Sequence, residues 1–149
     1  EGAMLNALWP ARLQKLRHGP LIDAAPTAEV WLDGGHNKAA GHALAEALGR
    51  LPDRNLHLIV GMLNTKDASG YMTPLIARAN SLYGVSIPGE AATMSAQETV
   101  DVASKVGFDA KVASDVQSAV NEIVAADPTA RILICGSLYL AGKVLHVNG

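Results

Sequence analysis

Apolar residues in this chain come in short runs, and most runs are followed by a stretch of helical periodicity. Val30-Trp31-Leu32 stops at Asp33, turns on Gly34-Gly35 and passes through His36-Asn37 into an Ala/Leu-rich segment. That order predicts a strand from Glu29 to Leu32, a turn and a helix start, which is half of a βαβ unit. From about Lys38 to Leu51, Ala40, Ala43, Leu44, Ala47, Leu48 and Leu51 share one side at three- and four-residue steps, and Pro52-Asp53 ends the helix. Leu56 to Met62 is almost continuously apolar, as in a strand covered on both faces. Asp67 is placed to cap the next segment, where Gly70 and Pro74 predict a kink or a restart before Leu75 to Ala79.

The pattern continues with a strand from Ser81 to Ile87, stopped by Pro88-Gly89, and a short strand from Ala110 to Ala113. Two capping boxes, Ser95-Ala96-Gln97-Glu98 and Ser114-Asp115-Val116-Gln117, announce helices. The second helix carries Val116, Ala119, Val120, Ile123 and Val124 and stops at Asp127-Pro128. Arg131 to Cys135 reads as a central strand, followed by Gly136-Ser137 and a last helix from Leu138 to about His146. Ahead of all this, Arg12 to Leu16 alternates polar and apolar like an edge strand, Gly19-Pro20 breaks it, and Leu21 to Ala25 is left open.

Composition narrows the class. At 149 residues, 49% of them hydrophobic, the chain is one domain with a real core. Scarce aromatics and abundant Ala, Val and Leu suit helices on a parallel sheet, an α/β fold. A net charge of −2 gives no basic field for nucleic acid and no polybasic anchor for a membrane. No apolar run approaches the roughly 20 residues of a membrane span. The single cysteine, Cys135, rules out an internal disulfide and a cysteine-based zinc cluster, and fits a cytoplasmic setting. Residues 1–8 read as a cloning remnant or interdomain lead, and 9–149 as the domain.

If the strands are parallel, their carboxyl ends meet on one edge of the sheet, where open α/β folds bind ligands. That edge collects Asp33, His36 and Asn37, then Asn64, Thr65, Lys66 and Asp67, then Gly136-Ser137, a set suited to a phosphorylated or charged ligand. Each has a plainer reading. Asp33 would accept backbone N–H groups, Asn37 cap the helix and His36 be merely solvated. Ser137 would be a helix cap, Lys66 a solvated turn residue and Arg12 a surface residue of an edge strand. The other histidines share no metal-ligand spacing, and there is no carboxylate cluster for magnesium. Neither a Gly-x-x-Gly-Lys-Ser/Thr loop nor Gly-x-Gly-x-x-Gly occurs.

Four segments in order, Trp9-Pro10-Ala11-Arg12-Leu13-Gln14, Leu32-Asp33-Gly34-Gly35-His36-Asn37, Gly61-Met62-Leu63-Asn64-Thr65-Lys66-Asp67 and Gly136-Ser137-Leu138-Tyr139, resemble the carboxyl-terminal domain of the folylpolyglutamate synthase/dihydrofolate synthase branch of the Mur ligase superfamily. The family pattern is usually Pro-Gly-Arg and Asp-Gly-Ala-His-Asn-Pro, so Ala11, Gly35 and Lys38 depart from it. The resemblance implies a Rossmann-like, three-layer domain with a mostly parallel six-stranded sheet and one antiparallel edge strand. It implies a cytoplasmic, monomeric enzyme that uses ATP and magnesium to join L-glutamate to folate or dihydropteroate through an acyl phosphate. The phosphate loop and metal ligands would lie in a preceding domain. By this resemblance Arg12 and Asp33 contact ATP, His36 serves the phosphoryl or acyl-phosphate stage, Ser137 binds glutamate and Lys66 makes a substrate or interdomain contact. The competing readings are a ligase acting on muramyl peptides and a non-catalytic, Rossmann-like module that binds a small anion.

Overall fold

Because each βα pair returns the chain to the same end of the sheet, successive strands can lie parallel only with helices crossing over the faces. The computed structural model describes residues 13–64 and 67–148 and shows this arrangement. Its strands are β1 (Gln14–Lys15), β2 (Glu29–Leu32), β3 (Leu56–Val60), β4 (Ser81–Gly84), β5 (Ala110–Val112) and β6 (Arg131–Cys135). They form one six-stranded sheet in the order β1-β2-β6-β3-β4-β5. Among these described strands only the β1–β2 pair is antiparallel, and it lies at the edge the sequence assigns to it. The helices are α1 (Pro20–Asp23), α2 (Lys38–Gly49), α3 (Ala68–Met72), α4 (Ala96–Val106), α5 (Val116–Ala126) and α6 (Leu138–Asn148).

Strand alternation divides the apolar side chains into two cores. Ile132 and Ile134 of β6 and Ile59 of β3 face a layer that includes Val120 and Ile123 of α5 and Leu140 and Val144 of α6. Leu133 and Cys135, with Leu58 and Val60, face Leu44 and Leu48 of α2 and Tyr71 and Met72 of α3. β6 is buried along its whole length. Each fully buried Leu or Ile contributes about 1.5–3 kcal/mol, so this central strand anchors the domain.

Local chemistry shifts several predicted boundaries. The first capping box forms as read, with Ser95 and Glu98 exchanging both bonds. The second does not: Asp115, not Ser114, caps α5, its Oδ1 accepting from Ser118 N at 2.7 Å. An ionised carboxylate is the stronger acceptor, and Ser114 pairs instead with the Ser118 hydroxyl at 3.1 Å. The Ser118 N–H and hydroxyl in turn hold the Asp115 carboxyl below its ordinary range. After α3 the chain tightens into a 3₁₀ turn over Thr73–Leu75 instead of restarting as a helix over 75–79, since Pro74 brings no N–H. The strand expected from Ser81 to Ile87 ends at Gly84, opposite the last residue of β5. The undecided segment after Gly19 is α1.

Arg131 is 5% exposed and closes the opposite end of the sheet, donating from Nε to Glu29 Oε1 at 2.8 Å and from NH1 to Pro52 O at 2.9 Å. At the end of α6, Asn148 accepts from Leu21 N at 2.9 Å and donates to His18 O at 2.8 Å, clasping the last helix to α1. Removing this amide strands two backbone groups. Asn148→Ala is therefore expected to lower the unfolding free energy by about 2 kcal/mol in a urea titration; a loss under about 0.5 kcal/mol would show the clasp to be dispensable.

Candidate functional site

The β2, β6 and β3 registers place Leu32 beside Ile134 and Val60 beside Cys135. One residue further along, Asp33 is level with Cys135 and Gly61 with Gly136, so the three strands end together at the carboxyl edge. Asp33 N–H continues the ladder to Ile134 O at 3.0 Å, and Gly61 N–H reaches Cys135 O at 3.2 Å. The turn at Gly136 runs at φ 107, and a Cβ there would stand 2.8 Å from Gly61 O, so the close approach of these strand ends depends on glycine.

Asp33 is 8% exposed. Its Oδ1 accepts from Leu13 N at 2.7 Å and its Oδ2 from Gly35 N at 2.9 Å. The carboxylate thus ties the segment leading into β1 to the turn, as the plainer reading of this residue expects, and it stays at the rim of a cleft of about 370 Å³. That cleft is lined by the 33–37 turn, by Leu13, by one side of α2 including Ala40 and Leu44, and by Leu138. Asn37 is the N-cap of α2, accepting from Ala40 N at 2.8 Å. Between these two engaged residues His36 is half-buried. Its Nδ1 is buried with no hydrogen-bond partner, and the residue lines the cleft.

Gly35 stands where the resembling pattern has alanine, and the packing gives a reason. A Cβ at 35 would lie 2.7 Å from Ala40 Cβ and 3.0 Å from Asp33 Oδ2, so the small residue fits the first turn of α2 against the loop.

Ser137 is 3% exposed and caps α6, its Oγ accepting from Tyr139 N at 3.0 Å and more weakly from Leu140 N at 3.4 Å. This uses the oxygen and leaves the hydroxyl proton to donate. Leu138 and Tyr139, 53% and 54% exposed, follow it on the surface. From the third strand end, Asp67 caps α3 by accepting from Gly70 N at 3.0 Å. Arg12 and Lys66 lie outside the described residues. Among the described residues, no group of three or more His, Cys, Asp or Glu could hold a metal ion.

The pattern of the sequence does not single out Tyr71. It is fully buried beneath the site, its ring edge 3.8 Å from where a Gly35 Cβ would be, and its hydroxyl has no hydrogen-bond partner. Burial, then the neighbouring Cys135 thiol and Asp33 carboxylate, push the phenol well above its ordinary range, so it remains a donor. Burial likewise pushes the Cys135 thiol up to about 12, which removes it as a nucleophile. The one signal for Tyr71 is that it is one of three tyrosines in the chain and falls four residues after a helix cap.

The family model described as "Dihydrofolate synthetase, C-terminal domain" matches residues 20–147. A folylpolyglutamate synthase of Lacticaseibacillus casei is 31% identical over 140 residues, covering 91% of this chain and 29% of its own. A probable dihydrofolate synthetase of Schizosaccharomyces pombe is 26% identical over 155 residues, covering 97% of this chain and 35% of its own. This chain therefore spans about a third of the length of these relatives. Among solved structures, Mycobacterium tuberculosis folylpolyglutamate synthase complexed with ADP and AMPPCP superposes with a TM-score of 0.75 at 26% identity, over 93% of this chain and 32% of that one.

Proposed function

This chain belongs to the family of dihydrofolate synthetase carboxyl-terminal domains, and from that premise we propose that it serves an ATP-dependent ligase that adds L-glutamate to folate or dihydropteroate. The observation that carries the reading is the turn after β2, where Asp33 and His36 reach one cleft at the carboxyl edge of a parallel sheet. In the proposed reaction the γ-phosphoryl group of ATP passes to a substrate carboxylate and ADP leaves. The amine of glutamate then attacks the acyl carbon, phosphate departs and an amide forms.

In this scheme Asp33, ionised and fixed by two backbone N–H groups, accepts from a donor on the ribose or adenine, and Arg12 meets phosphate oxygens. His36 presents Nε2 to the transferred phosphoryl group. Ser137, with the free N–H groups opening α6, takes the incoming glutamate carboxylate. Its burial ties that contact to a shift of the Gly136-Ser137 turn. Lys66 is assigned to a substrate or interdomain contact. The described residues do not fit magnesium, so its ligands belong with the phosphate loop on a preceding domain, with residues 1–8 as the lead between them. The reading carries a monomer in the cytoplasm, in keeping with the free thiol of Cys135.

The division of the site is tested by kinetics in a full-length ligase carrying this domain, with ATP and glutamate varied independently. A charge-assisted bond is worth about 1.5–3 kcal/mol, so Asp33→Ala is expected to weaken apparent ATP affinity about 10- to 100-fold. Ser137→Ala removes a neutral hydroxyl, about 0.5–1.5 kcal/mol, and is expected to raise the glutamate KM alone. The reverse pattern in either variant would overturn the assignment. The 149-residue chain by itself is expected to give no steady ADP release with ATP, folate and glutamate, since its sequence has no phosphate loop. Turnover by the pure chain would sink the domain reading.

A further inference from the structure

The amino edge of the sheet, away from the cleft, carries a second hydrogen-bonded array. His57 on β3 and Ser81, the first residue of β4, are partners across the parallel ladder. His57 Nδ1 lies 2.7 Å from Ser81 Oγ, and its Nε2 lies 3.0 Å from Oδ2 of Asp127, which ends α5. Asn55 Nδ2 donates to the same carboxylate oxygen at 3.2 Å. The bond to His57 first, and then that to Asn55, hold the Asp127 carboxyl below its ordinary range, so it is ionised at neutral pH and only accepts. In the neutral ring Nε2 therefore carries the proton, Nδ1 accepts, and the Ser81 hydroxyl donates to it. Hydroxyl, imidazole and carboxylate in that order make an activated nucleophile.

A tie between two strands would need no space beside it, but this array has some. Ser81 and His57 are half-buried and both line a cavity of about 210 Å³. Ile123 and Ala126 of α5 give that cavity an apolar wall, and Asn80 and Lys111 give it donors. Asn80 commits its Oδ1 to Leu56 N at 2.9 Å, which leaves its amide NH2 to donate. Lys111 brings an ammonium, paired with Glu122 at 3.7 Å.

We propose that this array is a second site, which hydrolyses esters of small carboxylic acids through an acyl-serine. Ser81 Oγ attacks the acyl carbon as its proton passes to His57 Nδ1, and the imidazolium is stabilised by Asp127. The tetrahedral oxyanion, for which Asn80 and Lys111 are the donors lining the cavity, collapses and expels the alcohol, which takes the proton from Nδ1. Water then attacks the acyl-serine, giving a proton to Nδ1. Collapse releases the carboxylic acid and returns that proton to Ser81. Asp127 touches no reacting atom and is a positioning residue. The modest cavity, with an apolar wall, limits the acyl group to a short chain.

The test uses p-nitrophenyl acetate as the probe, with release of nitrophenol followed by absorbance and the acid-quenched chain mapped by peptide mass spectrometry. The wild-type chain is expected to turn the ester over and to carry an acetyl group on Ser81. Ser81→Ala and His57→Gln are each expected to lower the rate about 100-fold or more, and His57→Gln to leave Ser81 unacetylated. Asp127→Asn replaces an acceptor by a group that can donate to Nε2, which moves the ring proton to Nδ1. It is expected to lower the rate as far as His57→Gln does and likewise to leave Ser81 unacetylated, an effect that a merely structural carboxylate would not have. If a variant does not fold, the acetyl map of the wild-type chain decides. Acetyl groups on lysines alone, turnover that survives Ser81→Ala, or acetylation of Ser81 that survives His57→Gln would each overturn the proposal. Neither ATP nor folate enters the assay, so its failure leaves the ligase reading standing, and loss of that reading leaves it unaffected.

Discussion

In a full-length ligase carrying this domain, His36→Ala is expected to lower kcat about 100-fold while both KM values stay within about threefold. The backbone that carries the ring is fixed on both sides, by Asp33, whose carboxylate accepts from two backbone N–H groups, and by Asn37, the cap of α2. It therefore needs little reorganisation when charge develops on the transferred phosphoryl group, and a donor fixed in advance acts mainly on the transition state. Because the residue is half-buried and donates no structural bond, thermal melting of the variant should change little. A KM effect larger than the kcat effect would assign His36 to ground-state binding. One equivalent of bound zinc, lost in the variant, would make it a ligand instead.

The other large effect falls on folding. Gly136→Ala places a Cβ on a residue at φ 107, 2.8 Å from Gly61 O, 2.9 Å from Met62 Cγ and 3.0 Å from Val60 Cγ1. The backbone conformation costs about 1–2 kcal/mol for an L residue, and overpacking adds about 1–3 kcal/mol. Gly61 O is main chain of the adjacent strand end and cannot swing aside. A combined loss of about 3–4 kcal/mol is a large part of the 5–15 kcal/mol that holds a domain of this kind, and calorimetry is expected to show a Tm about 10 °C lower. A change below about 3 °C would mean that the strand ends can separate without cost.

What could be read in advance divides along physical lines. β2, the Asn37 cap and the Ser95-Glu98 box depend on neighbours within four residues, and the chain displays those neighbours directly. The carboxyl edge followed from parallel pairing alone, so Asp33, His36 and Ser137 could be placed on it before any contact was known. Asp33 was harder. Its bond to Leu13 N crosses twenty positions, and no local pattern states it. The Asp115 cap escapes the box motif because that motif looks only for a hydroxyl three residues before a Glu or Gln, whereas the stronger acceptor here is the carboxylate one residue later. Tyr71 stayed hidden because a buried aromatic on a five-residue helix resembles any other core residue until the loop above it is in place.

The contact between Gly35 and Ala40 shows where the signature of this site ends. Written as a string, Asp33 to Asn37 looks self-contained, and its middle position looks open to exchange. In space that position is already claimed by a methyl group one turn into α2, 2.7 Å from where a Cβ at 35 would stand, so the two positions are sterically coupled. The fit of the turn rests on five consecutive residues plus a sixth outside the string, and a side chain introduced at 35 without a change at 40 would carry over the letters without the fit.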